Sequence, residues 1–289
     1  MTGEEWLGRS QVELDRALDD WLLTRPGWPE PLAAAAEYAL RGPGKRFRPA
    51  LTWAAGQWLG LDWTPLRPVA LALEMVHTYS LVHDDLPAMD DDDWRRGRAT
   101  THKVFGEAVA ILAGDALLTE AFGVLTAARR DFTADRVVAA VEVLTAAAGG
   151  SGMAGGQVLD LQQARGDADA LARLHRAKTG AMITAAVVLP AVLAGRERER
   201  AILQRYGRAV GLAFQITDDI LDVVGDQTVM GKAAGRDAAQ GKVTYATLYG
   251  LEDARRRARD CLAEAQTALA GQDADALMAL AYYVVERDR

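Results

Sequence analysis

Proline placement constrains this chain more than any other single feature. Eight of the nine prolines, at 26, 29, 31, 43, 49, 65, 68 and 87, precede residue 88, and only Pro190 follows. Proline removes a backbone donor and clashes with the preceding turn, so it marks places where helices stop. The remainder is rich in Ala, Leu, Glu and Arg, and alternating runs of Val, Ile, Thr and aromatic residues are scarce. The expectation is an all-α protein, with shorter helices and turns in the N-terminal third and longer helices after it. Helices are placed at 4–23, 30–41, 47–59, 66–86, 104–127, 134–147, 151–164, 168–194, 198–223, 242–268 and 272–286.

A length of 289 residues permits about two domains. No segment reads as a linker, however: the breaks near 24–31, 42–44 and 225–235 are short or charged, and no repeat is present. One domain over 1–289 is therefore predicted. The 50% hydrophobic and 25% charged content excludes a disordered or collagen-like chain. A net charge of −7 and pI near 5.2 speak against a nucleic-acid footprint, leaving anionic partners to local basic clusters. Cys261 is the only cysteine, which excludes an intramolecular disulfide and fits a reducing compartment. The start, MTGEEWLGRS, lacks the basic-then-apolar layout of a secretory signal. The longest apolar stretch, Gly180 to Gly195, contains Thr184 and Pro190 and is shorter than the ~20 residues of a membrane span, so it reads as a core helix. The chain is expected to be cytoplasmic, with no membrane insertion.

Two acidic motifs carry the chemistry. His83-Asp84-Asp85-Leu86-Pro87-Ala88-Met89-Asp90-Asp91-Asp92-Asp93 gathers six aspartates within ten positions at the end of an apolar helical segment. The helix dipole disfavours anions there by roughly 0.3–1 kcal/mol each. A hard divalent cation reverses that sign, since Mg²⁺ takes oxygen ligands and shares them with phosphates. Alone, the run reads equally as a solvated acidic turn. The second motif, Phe214-Gln215-Ile216-Thr217-Asp218-Asp219-Ile220-Leu221-Asp222, shifts the balance. Asp218 and Asp222 share a helix face, where like charges repel, and the flanking apolar residues predict burial. Cations accompany both motifs: Lys45, Arg46 and Arg48 in Gly42-Pro43-Gly44-Lys45-Arg46-Phe47-Arg48-Pro49; Arg95, Arg96 and Arg98 after the first motif; and Lys178, Lys232 and Lys242 beside the later helices. Aspartates for Mg²⁺ plus Lys and Arg groups describe a diphosphate site, and the two basic sets are numerous enough for two diphosphates. Any one cluster taken alone also reads as solvated surface charge.

GPGKRFRP, HDDLPAMDDDDWRRG, GMAGGQVLDL, HRAKTGA, FQITDDILDVVGD and GKVTYATLYG, in this order, resemble the trans-prenyl diphosphate synthases, most closely those making farnesyl diphosphate in bacteria. The resemblance covers nearly the whole chain. It implies an all-α helical bundle around a deep central cavity, with the two aspartate motifs facing each other at its mouth. It implies that Asp84, Asp85, Asp90, Asp218, Asp219 and Asp222 hold Mg²⁺, three ions per site, on an allylic diphosphate contacted by Arg95, Lys178 and Lys232. Lys45, Arg48, His77 and Arg96 would form the metal-free site for isopentenyl diphosphate, with Lys178, Thr179 and Gln215 as catalytic residues near the developing carbocation. The implied reaction is head-to-tail condensation of isopentenyl diphosphate with dimethylallyl and geranyl diphosphate, in a homodimer burying helices such as 104–127. Tyr79, followed by Ser80, would be a floor setting a C15 product; a packed core aromatic is the alternative reading. Geranyl (C10) or geranylgeranyl (C20) synthesis, a class I terpene cyclase and a non-catalytic prenyltransferase subunit are the competing readings. Pro43 and Ala99 depart from the family pattern without removing a proposed ligand.

Gly150-Ser151-Gly152-Met153-Ala154-Gly155 spells GxGxxG, but a helical segment precedes it where a dinucleotide site needs a strand. Gly235 to Val243 misses the P-loop spacing. His83 and His102 receive no role, and Arg255, Arg256, Arg257 and Arg259 read as a solvated helix face.

Overall fold

The computed structural model describes residues 1–24, 27–162, 168–224 and 243–287. Its helices are α1 (Gly3–Thr24), α2 (Glu30–Leu40), α3 (Phe47–Trp58), α4 (Arg67–Asp84), α5 (Thr101–Phe105), α6 (Glu107–Thr126), α7 (Ala134–Ala148), α8 (Met153–Leu161), α9 (Ala168–His175), α10 (Ala181–Ala194), α11 (Glu197–Val224), α12 (Tyr245–Tyr249), α13 (Leu251–Ala268) and α14 (Asp275–Glu286). The only strands among the described residues are Trp94–Arg95 (β1) and Arg98–Ala99 (β2), a two-residue antiparallel hairpin. The all-α expectation holds, and most boundaries fall within a few residues of those read from sequence.

Two helices expected to be continuous are broken at glycines. The 104–127 segment divides into α5 and α6 at Gly106, with φ 83°, and 242–268 divides into α12 and α13 at Gly250, with φ 80°. Both angles lie where only glycine is unstrained, so each break turns the chain at little cost. Proline placement was a partial guide. Pro29 and Pro31 frame the start of α2 and Pro68 the start of α4, as the missing N–H allows in a first turn. Yet α1, in the N-terminal third, runs for 22 residues, while Pro190 lies inside α10.

One hydrophobic cluster runs from Trp6 on α1 to Val284 on α14. At its centre α10 buries Met182, Ile183, Val187, Leu189 and Leu193, each side chain contributing roughly 1.5–3 kcal/mol. A helix apolar all round must be covered all round, and α10 is. By length and composition alone, Glu107–Arg130, Ala134–Leu161 and Ala168–Ala194 are apolar enough to cross a bilayer; of the 18 residues in the apolar stretch of each, 33%, 39% and 67% are buried within the fold. α4 ends, and the long α11 nears its end, at the two aspartate motifs.

Candidate active site

The two motifs open onto one cavity of about 720 Å³ that is open to solvent at its mouth. Lys45, Arg48, His77, Tyr79, Ser80, Asp84, Arg96, Lys178, Thr179 and Asp218 all line it. Residues from distant parts of the sequence thus meet as expected. Lys232 lies outside the described residues.

In each aspartate pair one member faces the cavity and the other faces the fold. Neighbouring residues on a helix point about 100° apart, so a DD pair cannot present both carboxylates to one ligand equally. Asp84 lines the cavity, and its pKa is pushed up to about 6, chiefly by burial, with Asp90 and Asp85 adding to the rise and Lys178 and Arg95 opposing it. Asp85 is buried, and its Oδ1 accepts from Arg95 Nε and Nη2, both at 2.6 Å. The chain then folds back, with Asp90 N donating to Asp84 O at 2.8 Å and Asp92 N to Asp85 O at 3.2 Å, which keeps Asp90 beside Asp84.

The second motif repeats the division. Asp218 lines the cavity and pairs with Arg287; burial raises its pKa against the pull of Arg287, Lys45, Arg48 and Arg96. Asp219 is buried and accepts from Gln215 Nε2 at 3.1 Å and from Tyr245 N at 2.8 Å, with His175 Nε2 at 3.9 Å. Asp222 lies one helical turn beyond Asp218. Gln215 in turn accepts from the Thr179 hydroxyl at 2.8 Å.

Lys178 and Thr179 sit on a π-helical turn, Arg176–Gly180, between α9 and α10. Such widened turns recur at functional sites, because the extra residue re-aims side chains. Sequence reading gave a continuous helix here. The turn is pressed between two glycines: a Cβ on Gly156 would fall 2.2 Å from Lys178 N, and one on Gly211 would fall 2.8 Å from Gly180 Cα. Gly156 lies one residue past the GxGxxG stretch, whose Gly152 and Gly155 pack instead against the Ala147 and Gly150 carbonyls, where a Cβ would fall 2.1 and 1.9 Å away, and helix α7 precedes that stretch. Burial pulls the Lys178 pKa down, but Asp160, with which it forms an ion pair, and Asp84 and Asp90 outweigh it, so the ammonium stays charged.

The basic cluster is sorted by its own geometry. Arg46 borders the cavity but its guanidinium is committed to the fold: it is buried, at φ 49°, donating to Glu74 at 2.6 Å and to the Leu40 and Gly42 carbonyls at 2.7 and 3.0 Å. This clamp fixes the loop from which Lys45 and Arg48 reach the cavity. Arg96 Nη1 donates to Pro43 O at 2.6 Å, tying the hairpin to the same loop. Burial, with Arg48, Arg96, Arg95 and Arg46 around it, holds the His77 pKa well below the usual histidine range, so the imidazole is neutral at pH 7.

Sequence reading missed Arg287, Glu74 and Asp160. Arg287 is stacked 4.1 Å above the Phe214 ring and donates to Phe214 O at 3.2 Å as well as to Asp218. No motif surrounds it, and 69 residues separate it from Asp218. Glu74 could have been found as an acid on an otherwise apolar helical face.

Among the described residues, no group of three or more His, Cys, Asp or Glu side chains converges to hold a metal alone. Asp84 and Asp218 would bind a cation only together with oxygens brought by a ligand. That suits Mg²⁺, which keeps few protein ligands and shares phosphate oxygens.

Residues 29–282 match the Polyprenyl synthetase family. The farnesyl diphosphate synthase of Escherichia coli (strain K12) is 46% identical over 288 residues, covering 96% of each chain. A chloroplastic geranylgeranyl pyrophosphate synthase of Catharanthus roseus is 42% identical over 95% of this chain and 78% of the relative. Among solved structures, a geranyltransferase from Legionella pneumophila superposes with a TM-score of 0.87 at 33% identity, covering 99% of this chain and 97% of that one. Paired acidic helix ends over a deep cavity, a separate basic loop and matches of this extent agree with one another: the chain belongs to the polyprenyl synthetase family, whose members are prenyltransferases.

Proposed function

We propose that the protein condenses isopentenyl diphosphate head-to-tail with dimethylallyl and then geranyl diphosphate, giving farnesyl diphosphate. The observation that carries this reading is one cavity lined both by the carboxylates Asp84 and Asp218 with Lys178 and by a further basic set, Lys45, Arg48 and Arg96. A terpene cyclase, which takes one diphosphate, has no use for the second set.

Mg²⁺, bound with the allylic diphosphate, would withdraw charge from the departing group and so assist C–O ionisation. Asp84, Asp90, Asp218 and Asp222 would hold it. Asp85 and Asp219 would act from behind, one aiming Arg95 and the other holding Gln215 and the start of α12. Lys178, and Lys232 by resemblance alone, would meet the allylic diphosphate. Thr179 gives its hydroxyl proton to Gln215, so it can turn only lone pairs toward the cavity, where they stabilise a developing cation. Phe214, Met153, Val158 and Leu161 line the apolar walls that exclude water from that cation. Neutral His77 can donate to the second diphosphate without adding to the crowded charge of Arg48 and Arg96.

The test is product analysis with purified protein, Mg²⁺, isopentenyl diphosphate and either allylic primer. A dominant C15 diphosphate supports the reading; longer or shorter diphosphates keep the reaction and discard the C15 assignment; hydrocarbon released from a preformed prenyl diphosphate hands the case to a cyclase. Arg48→Ala is expected to raise KM for isopentenyl diphosphate about 10- to 100-fold, as loss of a charge-assisted contact of roughly 1.5–3 kcal/mol implies, with the allylic KM little changed. Steady-state kinetics in each substrate would show this, and equal changes in both constants would dissolve the two-site assignment.

The large hydrophobic cluster running from α1 to α14 supports a single domain, the single cysteine and the absence of a secretory-signal pattern support a cytoplasmic location, and the resemblance supports a homodimer. The interface would lie on α6, which is apolar yet only one-third buried, with Ile111 43% and Leu112 57% exposed. Such a face suits the apolar interface of an obligate dimer. Leu112→Glu is expected to convert dimer to monomer in light scattering; an unchanged dimer would move the interface elsewhere.

A further inference from the structure

His83 has no part in the chemistry above, yet it is held more tightly than a bystander needs to be. It lies on α4 one turn from Tyr79 and lines the same cavity. Its ring meets the Tyr79 ring edge to face, with centroids 5.7 Å apart and planes at 81°. Its Nε2 is 3.0 Å from the Ile111 carbonyl oxygen on α6; a carbonyl only accepts, so the ring carries its proton there. Asp115 Oδ1 lies 3.9 Å from the same nitrogen. Behind the ring is Gly114, where a Cβ would fall 2.1 Å from Nε2, 2.5 Å from Cδ2 and 2.9 Å from Cε1. Not even a methyl group fits between α6 and the imidazole. On the α6 side the ring therefore has no room to retreat from Tyr79.

We propose that His83, wedged in the notch at Gly114, is a positioning residue for product length: it fixes the Tyr79 ring and so the depth of the cavity. This rests on the reading of Tyr79 as the cavity floor. Two changes, one that crowds the imidazole from behind and one that removes it, act in opposite directions. Gly114→Ala adds a methyl that the ring end must yield to, and its other side is Tyr79 and the cavity. The cavity becomes shallower, and the C10 share rises. Alanine is the better helix former, so α6 itself is not weakened. His83→Ala removes the brace, Tyr79 swings into the vacated space, and C20 appears. His83→Gln can still donate to Ile111 O but offers no ring, so it should behave as His83→Ala if the ring contact is what positions Tyr79.

The measurement is the C10:C15:C20 ratio with geranyl and dimethylallyl diphosphate as primers, in wild type, Gly114→Ala, His83→Ala and Tyr79→Ala. Shifts of about 10-fold in opposite directions are expected for the first two variants, since one carbon's worth of space in an apolar pocket discriminates by about that much. A merely structural histidine would lower turnover or thermal stability without moving the ratio. Wild-type ratios in both variants, beside a Tyr79→Ala product that does lengthen, would overturn the brace and leave the floor standing. An unchanged product in Tyr79→Ala would remove the floor, and the brace with it.

Discussion

Turnover is expected to fall about 10³-fold or more in Asp84→Asn and in Asp218→Asn with Mg²⁺ saturating, a loss of roughly 4 kcal/mol of transition-state stabilisation. Each is the member of its pair that faces the cavity, and its pair partner, committed to the fold, cannot take over the lost charge. The same substitution has an opposite, testable effect on the metal-free protein. Asp84 has its pKa pushed up to about 6 by burial, against roughly 3.9 in an unfolded chain. A carboxyl whose folded pKa is raised costs stability once it ionises. The cost is absent below about pH 4, grows as pH rises toward 6, and is fully present above it. Because Asp84 retains some contact with solvent, the cost is about 1–2 kcal/mol rather than the full shift. Asp84→Asn is therefore expected to melt higher than wild type at pH 8 in EDTA and alike at pH 4. An active, unchanged enzyme in circular-dichroism-matched samples would sink the metal assignment. A melting difference equal at both pH values would show that burial of the charge is not its source.

How far the site could be read in advance depends on how local each signal is. The aspartate motifs, the Lys45–Arg48 loop and Tyr79 are legible because each is a short pattern on one helix end or turn, and all of them reach the cavity. The sorting within each DD pair was not drawn from the sequence, although helical spacing alone allows it: Asp84 and Asp85 cannot share a face. Which of the two turns inward depends on Arg95 in a two-residue hairpin too short to show any strand pattern. Asp219 is likewise committed by Tyr245 N, 26 residues away. Arg287 is less legible still, since its role exists only once α14 packs near α11. The π turn under Lys178 leaves no mark in helical periodicity; its cause lies in Gly156 and Gly211, which press on it from other helices. Gly106 and Gly250 could have been read either as tolerated helix residues or as breaks, and their positive φ settles the choice.

Tyr79→Ala is expected to turn a C15 product into C20 and longer, with the first condensation slowed only a few-fold. Five residues at about 1.5 Å each place Tyr79 roughly 7.5 Å along α4 from Asp84, on the side away from the diphosphate end. It lines the cavity, and burial together with Asp84 raises the pKa of its phenol, so the ring is neutral at any assay pH. A neutral ring can stop an apolar chain only by occupying space. Its truncation removes that obstacle without touching Asp84, Lys178 or the basic loop, so ionisation and attack should proceed as before while release is delayed by further additions. Tyr79→Phe separates bulk from the hydroxyl: the ring remains, and the product should stay C15. The C20:C15 ratio from geranyl diphosphate is the readout. If Tyr79→Ala still releases only C15, the chain is stopped elsewhere, and Ser80 and the Met153–Leu161 wall become the places to look. If Tyr79→Phe lengthens the product as much as Tyr79→Ala does, the hydroxyl rather than the ring is the ruler.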